Sequence, residues 1–230
     1  MSYTPVVTDA WRLVRAPFGP GAVFEEQKDK PTFWIPWAIV TVLFGVMQFL
    51  MTPFGREAQR LAMQERGQTL TDAQLDRFAT IGLAATPLVT LVLMVVGAAL
   101  IWALVLAVGE DSSFKSAMCI TVFAWPVAIF QQLASFGVLS MRGVQSITAP
   151  ADVRPSFGLD LLLPADVEVA GFLETVLAGV NPFSIWTVAI TAIGIQVLFK
   201  LSGAKSWSVA IAAAVIGLLI SAALATAFGR

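Results

Sequence analysis

Charged residues leave five gaps along this chain: positions 31–55, 78–109, 116–141, 175–199 and 206–229 contain none. Each gap exceeds the roughly 20 residues that an α-helix needs to cross the hydrocarbon core of a bilayer. The pattern predicts an all-α polytopic membrane protein, a bundle of five transmembrane helices over about 33–52, 86–108, 116–140, 182–200 and 207–227. Residues 1–32 stand apart as an N-terminal segment, and 33–230 form the membrane domain. The first gap is too long for the apolar centre of a signal peptide and follows a polar-to-mixed lead, so it reads as a true span.

The segments between the gaps carry local signals. In the N-terminal segment Thr8 or Asp9 can cap a short helix whose apolar surface holds Trp11, Leu13, Val14, Phe18 and Val23. Arg12 and Arg15 lie beside that surface, and Pro17 with the following Phe-Gly-Pro-Gly run stops or kinks the helix. Such an amphipathic segment either lies in the headgroup layer or packs under the bundle. Trp34, Pro36 and Trp37 suit the interface where the first span begins. Positions 52–77 read as a loop with a helical middle, a solvated or interfacial hairpin, in which Thr71 and Gln74 form a capping box. Asp111, Ser112 or Ser113 is expected to cap the third span, and Asn181-Pro182 the fourth. Positions 156–164 are too short to cross and are expected to dip onto the membrane face, ahead of an amphipathic helix to about Ala178.

Composition sharpens this picture. The chain is 57% hydrophobic and 13% charged, about half the charge of a soluble domain. There is no histidine, and the single cysteine, Cys119, falls inside an apolar gap. Intrachain disulfides and histidine-based metal sites are thereby excluded, and Cys119 reads as a packing residue. No cofactor is implied, and a net charge of −1 does not point to nucleic acid. Orientation is not set by charge. Arg12, Arg15, Lys28, Lys30, Lys115, Lys200 and Lys205 would share the N-terminal face; Arg56, Arg60, Arg66, Arg77, Arg142, Arg154 and Arg230 would share the other. The two sets are equal in number, although every lysine falls in the first.

Candidate chemistry is sparse. Catalytic motifs are absent, and the adjacent carboxylates Glu110 and Asp111 lack an electrophilic partner, so no catalytic residue is assigned. Polar residues in the spans are Thr86, Thr90, Gln131, Gln132, Thr187, Thr191 and Gln196, with Pro87 and Pro126 able to break helices near them. In the last span Ala213, Gly217, Ser221 and Ala225 recur every fourth residue, the small-xxx-small pattern of close helix approach within or between chains. Leu218 is expected to point away from that contact.

Several segments together carry a resemblance. Ala10-Trp-Arg-Leu-Val-Arg-Ala-Pro17 with Phe24, Phe33-Trp-Ile-Pro-Trp37, Gly109 through Ala117 with Ala124-Trp-Pro126, Asn181-Pro-Phe-Ser-Ile-Trp186 with Ile193-Gly194, and the Lys200–Lys205 turn are similar to blocks of the Ypt-interacting-protein (Yip) domain family, in its bacterial form. The resemblance covers nearly the whole chain. It implies five spans with a cytosolic N-terminus and an opposite C-terminus, in a bacterial inner membrane. Eukaryotic members organise small GTPases; their Asp-Leu-Tyr-Gly-Pro signature is missing here, where the only tyrosine is Tyr3. Some bacterial members resemble accessory partners of export ABC transporters. The leading expectation is a non-enzymatic scaffold or accessory subunit, in contact with membrane lipids and with a membrane-protein partner or further copies of itself. The alternative is a transporter or channel subunit with a polar path between helices.

Overall fold

The computed structural model describes residues 5–163 and 171–228, and every regular element among them is helical. Pro164, Asp166, Glu168, Tyr3 and Arg230 lie outside the described residues. In chain order the helices are α1 (Pro5–Arg15), α2 (Pro20–Gln27), α3 (Trp34–Glu65), α4 (Asp72–Ala107), α5 (Phe114–Ala124), α6 (Pro126–Arg142), α7 (Gly171–Gly179), α8 (Pro182–Leu198) and α9 (Gly203–Phe228). Short 3-10 turns follow α6 at Val144–Ser146, Pro150–Val153 and Leu159–Leu162. Four helical stretches are long and apolar enough to cross a membrane: α3, α4, α5 with α6, and α9. A fifth candidate is α7 with α8, bent by 59° between them. At 17 residues, α8 alone is at the short limit for a span.

The chain divides into two units. The first contains the described parts of Met1–Trp37, Val92–Val127 and Ser156–Arg230. Here α8 packs on α2, α5 and α9. Phe24 of α2 meets Phe123 of α5 edge to face at 6.2 Å, and both are buried. Gly194 of α8 lies under this pair, and a Cβ there would fall 2.9 Å from the Phe24 ring. The Asn181 side chain accepts from the Ser184 amide at 2.9 Å while Ser184 Oγ accepts from the Asn181 amide at 3.0 Å, closing the start of α8.

The second unit contains Ala38–Leu91 and Ala128–Pro155. Its α3 corrects the loop expected from position 52: the helix runs through Pro53 to Glu65. Its charged extension is matched by the first turns of α4, where Arg56 pairs with Asp76 at 2.7 Å and Arg60 with Asp72 at 2.9 Å. The charges therefore sit on two long helices that project as a hairpin. At its bend the Thr71 amide donates to Gln74 Oε1 at 2.9 Å, forming the cap that opens α4. Gly143, at a φ of +78°, ends α6 in the left-handed region. The following turns are held by Ile147, which packs with Phe54, Ala58 and Leu139.

Two expected caps differ. α1 begins at Pro5, so Thr8 and Asp9 lie inside it; Asp9 is buried and bound to Arg12 instead. Ser113 occupies the N-cap of α5 without a side-chain bond. Ser112 instead accepts Trp102 Nε1 on its carbonyl at 3.3 Å, and Glu110 pairs with Lys205 at 2.8 Å.

Candidate functional site

A polar group inside a bilayer is costly unless bonded, so span hydroxyls and amides either close on the protein or wait for a ligand. In the second unit α3 and α4 show the first outcome. Thr41 and Thr90 hydroxyls share a hydrogen bond of 3.0 Å, and Thr86 donates to Gln48 Oε1 at 2.6 Å. Gly82 makes room for the second pair, since a Cβ there would lie 2.9 Å from Gln48 Nε2.

Gln131 and Gln132 are not closed on the protein in this way. With Gln48, Ser135 and Arg154 they line a cleft of about 520 Å³, whose apolar wall includes Phe44, Met51 and Val153. Ser135 donates to the Gln131 backbone carbonyl at 3.0 Å, whereas the Gln131 and Gln132 amides have no hydrogen-bond partner among the described residues. Along α3, Gln48 lies eight residues before Arg56, which at 1.5 Å per residue is about 12 Å inward of the first charge. Gln132 lies ten residues before Arg142, about 15 Å inward.

The sequence singled out Thr86, Thr90, Gln131 and Gln132 of this unit. It missed Gln48, which the same criterion of an amide inside a charge-free gap would have found. It also missed Arg154 as a lining residue, because its place depends on the turns after α6. The remaining polar candidates belong to the first unit. Thr187 donates back to the Phe183 carbonyl at 2.9 Å, Thr191 is buried on α8, and Gln196 is exposed.

On α9, Ala213 and Gly217 are half-buried and Ser221 and Ala225 exposed. A Cβ on Gly217 meets nothing within 4 Å. Leu218, expected to point outward, packs on α7, where its side chain fills the space beside Gly179. The residues that α9 buries are Ser206, Val209, Ala210 and Ala222.

The N-terminal helices form a third polar group. Glu26 of α2 takes Arg12 at 2.9 Å and Arg15 at 3.0 Å, and Arg12 also reaches Asp9 at 3.0 Å. The Arg12 bond, with that of Arg15, holds the Glu26 carboxyl below its usual range despite some desolvation. Burial works against the charge on Arg12, but its bonds to Glu26 and Asp9 prevail and raise its pKa. With its arginines so engaged, α1 buries Leu13 and exposes Trp11 (60%) and Val14, and the turn after it buries Ala16 and exposes Phe18 (73%). Trp186 Nε1 donates to the Pro17 carbonyl at 2.8 Å, tying the end of this segment to α8.

Comparison with known proteins agrees with this architecture. The Yip1 domain matches residues 12–225. A curated relative, membrane protein YknW of Bacillus subtilis (strain 168), is 26% identical over 199 residues, covering 84% of this chain and 80% of the relative. No solved structure matches. With its helices long and apolar enough to cross a membrane and a domain match over nearly its full length, the chain is an integral membrane protein of the Yip1 domain family.

Proposed function

We propose that this chain is a non-enzymatic accessory subunit or scaffold of the bacterial inner membrane, with its N-terminus in the cytoplasm, that works by binding other membrane proteins. The observation that carries the reading is the fate of its polar span residues. Thr41, Thr86, Thr90 and Thr187 are bonded to a facing side chain or to their own helix, and no charged residue falls in the apolar gaps. A proton relay or ion carrier places ionisable groups there. The exposed apolar stripe of α1 fits the headgroup layer of the cytoplasmic leaflet.

For the partner, the family's bacterial members suggest components of an export ABC transporter. Affinity purification of the chain from cross-linked native membranes tests this. The expected result is stoichiometric recovery of transporter subunits. Recovery of the chain alone would overturn it.

The unbonded amides of Gln131 and Gln132 favour a second reading, a transporter subunit with a polar path. Solute flux through liposomes holding only this chain, abolished by Gln132→Leu, would decide for that reading.

A further inference from the structure

The cleft in the second unit has two chemically different halves. One half offers hydrogen-bond donors and a positive charge. Arg154 is exposed and forms no ion pair or hydrogen bond through its guanidinium among the described residues. The nearest acid in sequence, Asp152, is occupied: its Oδ2 accepts the Thr148 and Ala149 amides, each at 2.8 Å, and the Thr148 hydroxyl at 2.9 Å. Those bonds hold its carboxyl below the usual range. Gln131 and Gln132, whose amides are unbonded among the described residues, line the same cleft. The other half is the apolar wall of Phe44 and Met51.

A ligand that satisfies both halves is an amphiphile with an acceptor-rich anionic head. Guanidinium suits phosphate through paired donors, and amide NH₂ groups suit the remaining phosphate and ester oxygens. The cleft volume of about 520 Å³ is in the range of small-molecule sites. Arg154, the two glutamines and the Phe44 and Met51 wall supply, within one cleft, partners for the phosphate, glycerol and acyl parts of a lipid. We propose that this cleft binds the phosphate–glycerol region of a glycerophospholipid, with Arg154 on the phosphate and Gln131 and Gln132 on the oxygens beneath it. This site is independent of whether an ABC transporter is the partner.

Thermal unfolding of the delipidated full chain in mild detergent tests the proposal, with titration of dioleoylphosphatidylglycerol, dioleoylglycerol or inorganic phosphate. Phosphatidylglycerol is expected to raise the transition temperature in a saturable way, and the other two to leave it unchanged. Arg154→Gln should weaken the apparent lipid affinity about tenfold, as expected for loss of a charge-assisted contact. Arg142→Gln, at the end of α6 and outside the lining, should leave it unchanged. Equal stabilisation by dioleoylglycerol, equal stabilisation by inorganic phosphate, or equal affinity in the parent and Arg154→Gln would each overturn the assignment. An Arg154→Gln chain that fails to fold leaves a second measurement on the parent. A photoreactive phosphatidylglycerol should cross-link to 44–51, 128–135 or 153–155, and labelling elsewhere would refute the site.

Discussion

Helices α8 and α9 are neighbours in sequence and both are rich in small residues, yet they use them in opposite ways. On α8, Gly194 lies against the buried Phe24 ring and Ile120, close enough that a Cβ would clash. On α9, Gly217 belongs to the longer and more regular small-residue pattern, but open space lies over it. The difference is what each helix faces. α8 is enclosed by α2, α5 and α9, and a bulky ring from a neighbour needs a missing side chain opposite it. α9 buries Ser206 and Ala210 about three and two turns before Gly217 on the same face, while at Gly217 itself that face is open. A small-xxx-small spacing permits close approach; only a bulky partner opposite shows that it occurs.

The largest effect should come from removing that partner. Phe24→Ala deletes a fully buried ring, a change that typically costs about 3–5 kcal/mol. Thermal unfolding in detergent should show the greatest loss of stability at this position; an unchanged transition would mean α2 is not docked on α8. Next is Gly194→Val, which forces side-chain bulk into the same contact. Overpacking of this kind costs about 1–3 kcal/mol. A Phe24→Leu change made with it should recover part of the loss, because the smaller side chain vacates the volume. Absence of any recovery would place the strain elsewhere.

These contrasts also show what was legible in the sequence. The exclusion of charge from a bilayer acts on every residue of a span, so charge gaps are a strong local signal and mark the apolar parts of α3, α4, α5 with α6, α8 and α9. Asn181 and Thr71 were legible for the same local reason: each cap closes within three residues. The extension of α3 to Glu65 was not, because it is held by Asp72 and Asp76 of another helix. Asp9 looked like a cap because its type favours one, and burial beside Arg12 overrode that preference. At the cleft, Gln131 and Gln132 stood out by type. Arg154 did not, because its position follows from Gly143 and the anchoring of Ile147.

A smaller effect tests how α2 is held where it meets α8. Glu26 ties α2 to Arg12 and Arg15 of α1, and its carboxyl pKa is lowered in the folded chain. A lowered folded pKa contributes stability above the unfolded value near 4.3 and loses it as pH falls through the folded one. Glu26 is more than a third exposed, so the contribution should stay below about 1 kcal/mol. Glu26→Gln is therefore expected to lower stability slightly at pH 7 and to reduce the further loss between about pH 5 and 3. A variant with the same acid profile as the parent would show that the pair contributes nothing.

The smallest effect is expected at Gly217, and it separates packing within the chain from packing between chains. Gly217→Leu adds bulk to a position with nothing within 4 Å of a new Cβ. It also replaces a residue that disfavours helix by about 1 kcal/mol relative to the best formers. In detergent, where the chain is isolated, its transition should match the parent or rise slightly. A loss comparable to that of Gly194→Val would mean that another segment of the chain covers the stripe and that α9 resembles α8 after all. The same variant in native membranes reads the other possibility. Unchanged detergent stability together with loss of a co-purifying protein would place Ala213, Gly217, Ser221 and Ala225 in a contact between chains, where a leucine holds two helices apart. Unchanged recovery would leave the stripe facing lipid, and the spacing would then record helix composition without a contact.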